Sequence, residues 1–576
     1  MSYKCVIVES PAKCKKIESY LGAGYKCIAS YGHLRQLKQL TDIDVEHEFA
    51  PTYTIIEEPM KLKQIERLKE SISNASEVIL ATDDDREGEA IAWHLCMVFD
   101  LPHSTKRIVF HEITKESLLN AIENPRVIDM KLVHAQQARQ ILDLLVGYTI
   151  TPVLWDCISK NHKDSLSAGR CQTPALRLVY DNYMVNKNQV EKRIYKTVGY
   201  FTNKNIPFDL SVAFESEDSL TNFLENTVDF EHIYTVSKPK ESKASPPDPL
   251  TTSSLQQLAS NELHMSPKET MKRAQELYET GLITYMRTDS KKYCKEFIES
   301  SKNYILQSYN DVKYINENID LMSGSSNKKV TIQEAHEAIR PVDIRVKMET
   351  IKDNLDAKTQ RLYHLIWKIT LQSCMSSSVS YYITADISAF QNTSFKTRSD
   401  QLLFPGWKIV EKKYEETNAN YAYLLNLKPN IVLAYKKIDS TVHIKDSKSH
   451  YTEARLVQLL EEKGIGRPST FSTLIDKIQE RGYVSKENIK GTVVSCNEYA
   501  LEENEITETT VLREFGSEKN KLVIQPLGIL VIELLIQHFN SLFQYDYTKT
   551  MEDELDQFRK EKQSSVGCAK TFIRNC

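Results

Sequence analysis

A short apolar run, Val78 to Ala81, leads directly into Asp83, Asp84, Asp85, Arg86, Glu87, Gly88 and Glu89, just where a helix is predicted to begin. Acids gathered at the carboxyl end of a buried strand lie where open α/β sheets bind their ligands. At alternating positions, Asp83, Asp85 and Glu87 can project oxygen ligands to one side. Hard oxygens of this kind suit Mg²⁺, which keeps waters and bridges to phosphate. The same acids could instead only cap the following helix and complement its dipole. Glu9 ends a second apolar run, Cys5 to Val8, and could reach the same sheet edge. A lone carboxylate beside a metal cluster suggests proton transfer, although Glu9 also reads as a helix-start acid and Lys13 as a solvated cation. Much later in the chain, Tyr285 follows the apolar Leu282 and Ile283, and Arg287 stands two residues further on. On an extended segment both side chains leave on one face. A phenol is a weak nucleophile near neutral pH, with an ordinary pKa of about 10. A nearby guanidinium favours phenolate and stabilises charge on phosphoryl oxygens. Tyrosine attack on a phosphodiester would conserve the bond energy in a covalent ester. An isolated tyrosine in such a place is more commonly a packed aromatic.

These residues need a scaffold, and the chain offers one in pieces. Residues 1 to about 125 alternate strand and helix, with helices predicted over Ala90 to Phe99 and Lys115 to Ile122. That is an α/β domain. Helical patterns dominate from about 130 to 195, whereas 196–240 and 378–440 alternate aromatic and β-branched residues as antiparallel strands do. SPPDP at 245–249 and SGSSNKK at 323–329 read as loops. A shift of 201 positions aligns Leu255, Gln257, Leu258, Pro267, Glu279 and Gly281 with Leu456, Gln458, Leu459, Pro468, Glu480 and Gly482. Each copy reads as helix, loop, proline near a helix start, helix, glycine stop and short strand, a pattern similar to helix-turn-helix units. Either the segment is duplicated, or two amphipathic helix pairs coincide.

Composition narrows the field without deciding it. At 576 residues the chain exceeds one hydrophobic core, so several domains are expected. Charged residues at 26% and hydrophobic ones at 41% are ordinary for a globular protein, and no apolar run suggests a membrane span. No signal peptide is read at MSYKCVIVES, so a cytoplasmic location is expected. The eleven cysteines form no CxxC pair, which removes the main signal for a zinc ribbon or a disulfide scaffold. A net charge of −4 neither announces nor excludes nucleic acid, since what matters is where the cations lie.

VIVESPAK at 6–13 and ATDDDREGEAIAWHL at 81–95 resemble the Toprim domain of type IA DNA topoisomerases. The resemblance continues in the family's order through SYGHL (30–34), FHEIT (110–114), AQQARQILDLLVGY (135–148), LSAGRCQTPALRLV (166–179), GLITYMRTDS (281–290), AHEAIRP (335–341) and GIGRPSTF (464–471). ESPAK and TYMRTDS are similar to the bacterial topoisomerase I branch; Cys171 and Thr173 depart from the common pattern. The resemblance implies a multidomain α/β plus α+β fold, a toroidal core in four parts. These are a Toprim domain over 1–150, a helical DNA-binding domain from 151–195 and 450–576, a β-rich arch from 196–252 and 370–449, and a tyrosine-bearing domain over 253–369.

It also implies a 5′-phosphotyrosine intermediate at Tyr285, with Arg287, Glu9, Lys13 and His336 as catalytic partners. Mg²⁺ would be held by Glu9, Asp83, Asp85 and Glu87. DNA, preferably single-stranded or negatively supercoiled, would be contacted by His33, Arg139, Gln140, Asp143, Tyr148, Trp155, Ser167, Arg170, Gln172, Arg287, Arg467 and Thr470. Phosphate donors are mixed there with aromatic surfaces for single strands. Taken singly, His336 reads more readily as a structural histidine, and each of the others as a surface charge or core aromatic. The protein is expected to relax DNA without ATP and to act as a monomer. The competing readings are another Toprim phosphoryl-transfer enzyme, a nuclease or primase using the acids without a tyrosine, and a non-catalytic nucleic-acid binder. YMRTDS favours the topoisomerase.

Overall fold

A computed structural model describes residues 3–46, 49–158, 166–189, 192–322, 337–351, 355–412, 414, 417–445 and 448–557. The amino-terminal unit is a four-stranded parallel sheet ordered Tyr25–Ala29, Tyr3–Val8, Ala75–Leu80, Lys106–Arg107. Its two central strands are apolar because helices cover both faces, and Cys5, Val6, Ile7 and Val8 are fully buried. The helix Arg86–Phe99 follows the acidic run and the helix Pro11–Leu21 follows Glu9, so both acidic stretches emerge at the carboxyl edge of adjacent strands.

The second sheet is large and antiparallel. Its path runs Tyr234–Val236, Ser378–Ala389, Thr393–Phe404, Pro207–Leu210, Lys192–Tyr200, Lys437–Lys445, Thr492–Glu502, Glu505–Phe515, with Lys240–Ala244 alongside Ser378–Ala389. Segments on either side of the tyrosine region thus meet in one sheet. Residues 450–576, expected to be helical, also contain strands from Val484 to Ile524. Two of these form a hairpin that extends the large sheet, because Thr, Val and Ile alternate there with charged residues.

The duplicated pattern is realised. Helices Thr252–Leu263 and Pro267–Glu279 correspond to Glu453–Glu462 and Phe471–Glu480, and each pair ends at a glycine with positive φ, Gly281 at 67° and Gly482 at 69°. The copies pack on each other, first helix to first and second to second, with Lys268 of one reaching Asp476 and Glu480 of the other. The second copy differs locally: its proline precedes the helix by a turn instead of opening it. SGSSNKK lies outside the described residues.

One helical stretch, Pro526–Phe543, is long and apolar enough to cross a membrane by length and composition, which the reading of the sequence overlooked. Val531, Ile532, Leu535 and Phe543 are instead buried in a core with Leu176, Val179 and Ile478, so its apolarity is used inside the protein.

Candidate active site

The tyrosine segment docks directly against the edge of the parallel sheet. Tyr285 N–H donates to the His111 carbonyl at 2.8 Å, and the apolar residues around it share one core with the sheet: Val6, Val8, Ile113, Tyr278, Ile283 and Met286. Lys16 donates to the Thr280 carbonyl, and Arg340 spans the same junction, paired with Glu337 and, at 3.0 Å, with Glu112. Residues some 200 positions apart are thereby brought to hydrogen-bonding distance. The Tyr285 hydroxyl donates to Asp85 Oδ2 at 2.6 Å, and Arg287 Nη1 donates to the same oxygen at 3.3 Å.

The acidic loop is shaped from below. Asp85 caps the helix Arg86–Phe99, its Oδ1 accepting from Gly88 N–H at 2.8 Å. A fully buried ion pair, Arg107 with Glu89 at 2.9 Å, sits beneath, and Arg107 also donates to the Asp83 carbonyl. Removing one partner of such a pair costs about 3–5 kcal/mol, so the loop is firmly based. Lys13, buried, donates to Asp83 Oδ1 and lies 4.9 Å from the centre of the Tyr278 ring, which meets Tyr285 edge-on at 5.2 Å. Glu9 Oε1 accepts from Asp83 N–H at 2.9 Å.

The capping reading of the acidic run holds at Asp85, and the expected alternation fails at its third member. Because the chain turns helical at Arg86, Glu87 no longer projects with Asp83 and Asp85. Its carboxylate meets His33 Nε2 at 3.1 Å and Gln136 Nε2 at 3.4 Å.

Charge is distributed unevenly in this pocket. Burial, with Asp83 and Asp85 close by, pushes the Glu9 carboxyl up to about 8, so it carries a proton near neutrality. Against burial, Arg287 and hydrogen bonds from Tyr285 and Gly88 hold Asp85 below the usual carboxylate range. Arg287 favours the phenolate as expected, but it is outweighed here. Burial, then Asp85 and Asp83, outweigh the guanidinium and raise the Tyr285 phenol well above 10, so it stands as a neutral donor.

A divalent ion fits this chemistry: the donors are hard oxygens, and the carboxylates of Asp83 and Asp85 stand beside Glu9 and add to the burial that raises its carboxyl. Among the described residues no three carboxylate, histidine or cysteine groups form a ready-made cage. That accords with Mg²⁺ held by one or two carboxylates and waters.

The remaining candidates follow the helix Met130–Cys157. Gln136, Arg139, Gln140 and Asp143 recur at helical spacing on one face, leading away from Glu87. Gln140 accepts from the Tyr53 hydroxyl at 3.1 Å, and Tyr148, partly exposed, donates to the Lys38 carbonyl at 2.6 Å. Trp155 donates to the Leu166 carbonyl at 3.2 Å, Ser167 meets Gln172 at 3.5 Å, and Thr470 bonds the Arg467 backbone.

Arg139, Arg170 and Arg467 all turn to Glu552 on the helix Tyr545–Gln557. Arg170, expected at a DNA surface, is buried, divided between Asp143 at 2.9 Å and Glu552. His336 lies outside the described residues. Reasoning from sequence missed Tyr278, Gln136, Arg340 and Glu552. FHEIT and AHEAIRP pointed near Glu112 and Arg340, whereas no pattern singled out Glu552 among the many carboxylates of the last hundred residues.

A Toprim sheet whose acidic edge receives a buried tyrosine from a remote segment defines a class, and comparison agrees. Residues 4–113 match the Toprim domain, residues 127–497 match the DNA topoisomerase family, and the chain belongs to that family. It is a type IA DNA topoisomerase of the topoisomerase I kind. The full-length topoisomerase I of Thermotoga maritima, a crystal structure, is similar over 99% of this chain and 89% of its own, at 30% identity and a TM-score of 0.81.

Proposed function

We propose that this topoisomerase cuts one DNA strand through Tyr285. The phenol oxygen attacks a backbone phosphorus, its proton passes to Asp85 Oδ2, and the new Tyr–O–P ester retains the 5′ end. The P–O bond to the 3′ oxygen breaks, and protonated Glu9 supplies the proton that makes it a hydroxyl. Arg287 and Lys13 offset charge on the phosphoryl oxygens. Reversal reseals the strand, so ATP is not consumed. Mg²⁺, which Asp83 and Asp85 would hold, would add positive charge beside the phosphate and chiefly favour rejoining. Negatively supercoiled DNA is the favoured substrate because underwinding exposes single strands.

The observation that carries the reading is the Tyr285 hydroxyl on Asp85 at 2.6 Å, within a buried pocket where Glu9 accepts from Asp83 N–H. An oligonucleotide labelled at its 3′ end should transfer label to the protein on denaturation, and a 5′-labelled one should not. Tyr285→Phe should abolish transfer while stability changes by about 1 kcal/mol, the worth of one hydrogen bond. Label carried by the phenylalanine variant would assign the nucleophile elsewhere and favour a Toprim nuclease using activated water.

A further inference from the structure

We infer that Glu552 is a positioning residue for DNA binding, an internal anion that gathers the phosphate-binding arginines into one array. The inference rests on the proposed DNA contacts of Arg139, Arg170 and Arg467. These arginines come from three separate places: the helix Met130–Cys157, the turn before the helix Gln172–Lys187, and the GIGRPST loop. Three guanidinium groups brought together would repel one another and lose hydration. One carboxylate offsets the repulsion. Glu552 Oε1 accepts from Arg139 Nη2 at 2.7 Å and from Arg170 Nη1, while Oε2 lies 3.9 Å from Arg467 Nε. The Glu552 side chain is fully buried, yet against that burial Arg139, Arg170 and Arg467 lower its carboxyl to about 2. It therefore stays ionised throughout the working range of pH.

The outer groups complete the arrangement. Asp143 takes Arg170 Nε at 2.9 Å, and Asp553, half exposed, takes Arg467 Nη2 at 3.2 Å. Burial is graded across the array, with the side chains of Arg170 closed, Arg139 12% exposed and Arg467 20% exposed. The open flank thus presents Arg467, steadied from behind, while Arg170 serves as the buried strut. Met551 and Leu555, on either side of Glu552 in sequence, anchor the helix on Ala138 and Leu142, next to Arg139. The carboxylate is held in place by packing as well as by charge.

The test is binding of a single-stranded oligonucleotide by fluorescence anisotropy across a salt series without Mg²⁺, alongside thermal melting. Glu552→Gln, which keeps volume and removes charge, should weaken binding by about tenfold and lower the slope of log affinity against log salt by about one phosphate contact. KM for plasmid relaxation should rise while kcat changes little. Glu552→Asp keeps the charge but withdraws it by one methylene. It should melt near the wild-type temperature and bind roughly threefold more weakly, so it carries the test if Glu552→Gln does not fold. A purely structural role would lower melting and leave affinity and salt slope of the folded protein unchanged, which overturns the proposal; so does tighter binding. Arg467→Ala separates the two layers. If it weakens binding while both Glu552 variants bind like wild type, the positioning role alone fails; if it too binds like wild type, the DNA-contact reading fails and the proposal with it.

Discussion

At the scale of single residues, the proposed mechanism works by holding protons where they are needed. Glu9 is a carboxylic acid near neutrality because it is buried beside Asp83 and Asp85. As a general acid it is competent only while protonated, so metal-free, single-turnover cleavage should fall as pH rises through about 8. Glu9→Gln should flatten that limb and lower the rate by roughly 10²–10⁴-fold. Stability carries the same sign. A carboxyl raised from 4.5 to about 8 binds a proton in the folded state that the unfolded chain has lost, so its contribution is complete below 4.5 and gone above about 8. Denaturant titrations at pH 6 and pH 8.5 on wild type and Glu9→Gln should differ in this direction; a stability gain with pH specific to Glu9 would contradict the assignment. By type and spacing Tyr285, Arg287, Glu9, Asp83 and Asp85 stood out with bland structural readings still open, and the family resemblance singled them out together with Lys13; the fold brings these side chains into one pocket. The protonation of the phenol was not legible, because its environment is supplied by residues 200 positions away.

At the scale of elements, the acidic loop depends on a glycine. A Cβ built at Gly88 would lie 2.1 Å from the Asp83 carbonyl oxygen and 2.9 Å from Asp83 N, both backbone atoms that cannot turn aside. Gly88→Ala must therefore move the segment that aims Asp83 and Asp85. It should cost about 1–3 kcal/mol in stability, and a displacement near 1 Å should slow cleavage on the order of 100-fold. Wild-type cleavage by a stable Gly88→Ala protein would show that the loop is not aimed by this contact. The two central parallel strands were readable because apolar runs of about four residues, Cys5 to Val8 and Val78 to Ala81, precede helical patterns. The misplacement of Glu87 has a local cause: an alternating pattern aims side chains together only while the chain stays extended, and Asp85 caps a helix two residues earlier. The strands between Val484 and Ile524 were hidden by the helices flanking them; they pair mainly with one another, and only Thr492–Glu502 also pairs outside the span, with Lys437–Lys445.

At the scale of the whole molecule, charge pairing dominates the proposed DNA contacts, since Arg139, Arg170 and Arg467 face Asp143, Glu552 and Asp553. Relaxation of negatively supercoiled plasmid should proceed with Mg²⁺ and no ATP, and should fade steeply between about 50 and 200 mM salt as phosphate contacts release counterions. Activity indifferent to salt, or dependent on ATP, would contradict a mechanism built on backbone contacts and a conserved ester bond. The junction between the sheet and the tyrosine segment has a consequence for the order of events. The oxygen of Tyr285 cannot at once donate a proton to Asp85 and be esterified to phosphorus. In the uncut state that oxygen helps fasten two parts of the chain, together with Glu112 on Arg340 and Lys16 on Thr280. Once the strand is cut, the fastening is exchanged for a bond to the DNA itself. The molecule is then an interlock: the act that breaks the strand also releases one of its own clasps, and closing the clasp again requires that the strand be returned whole.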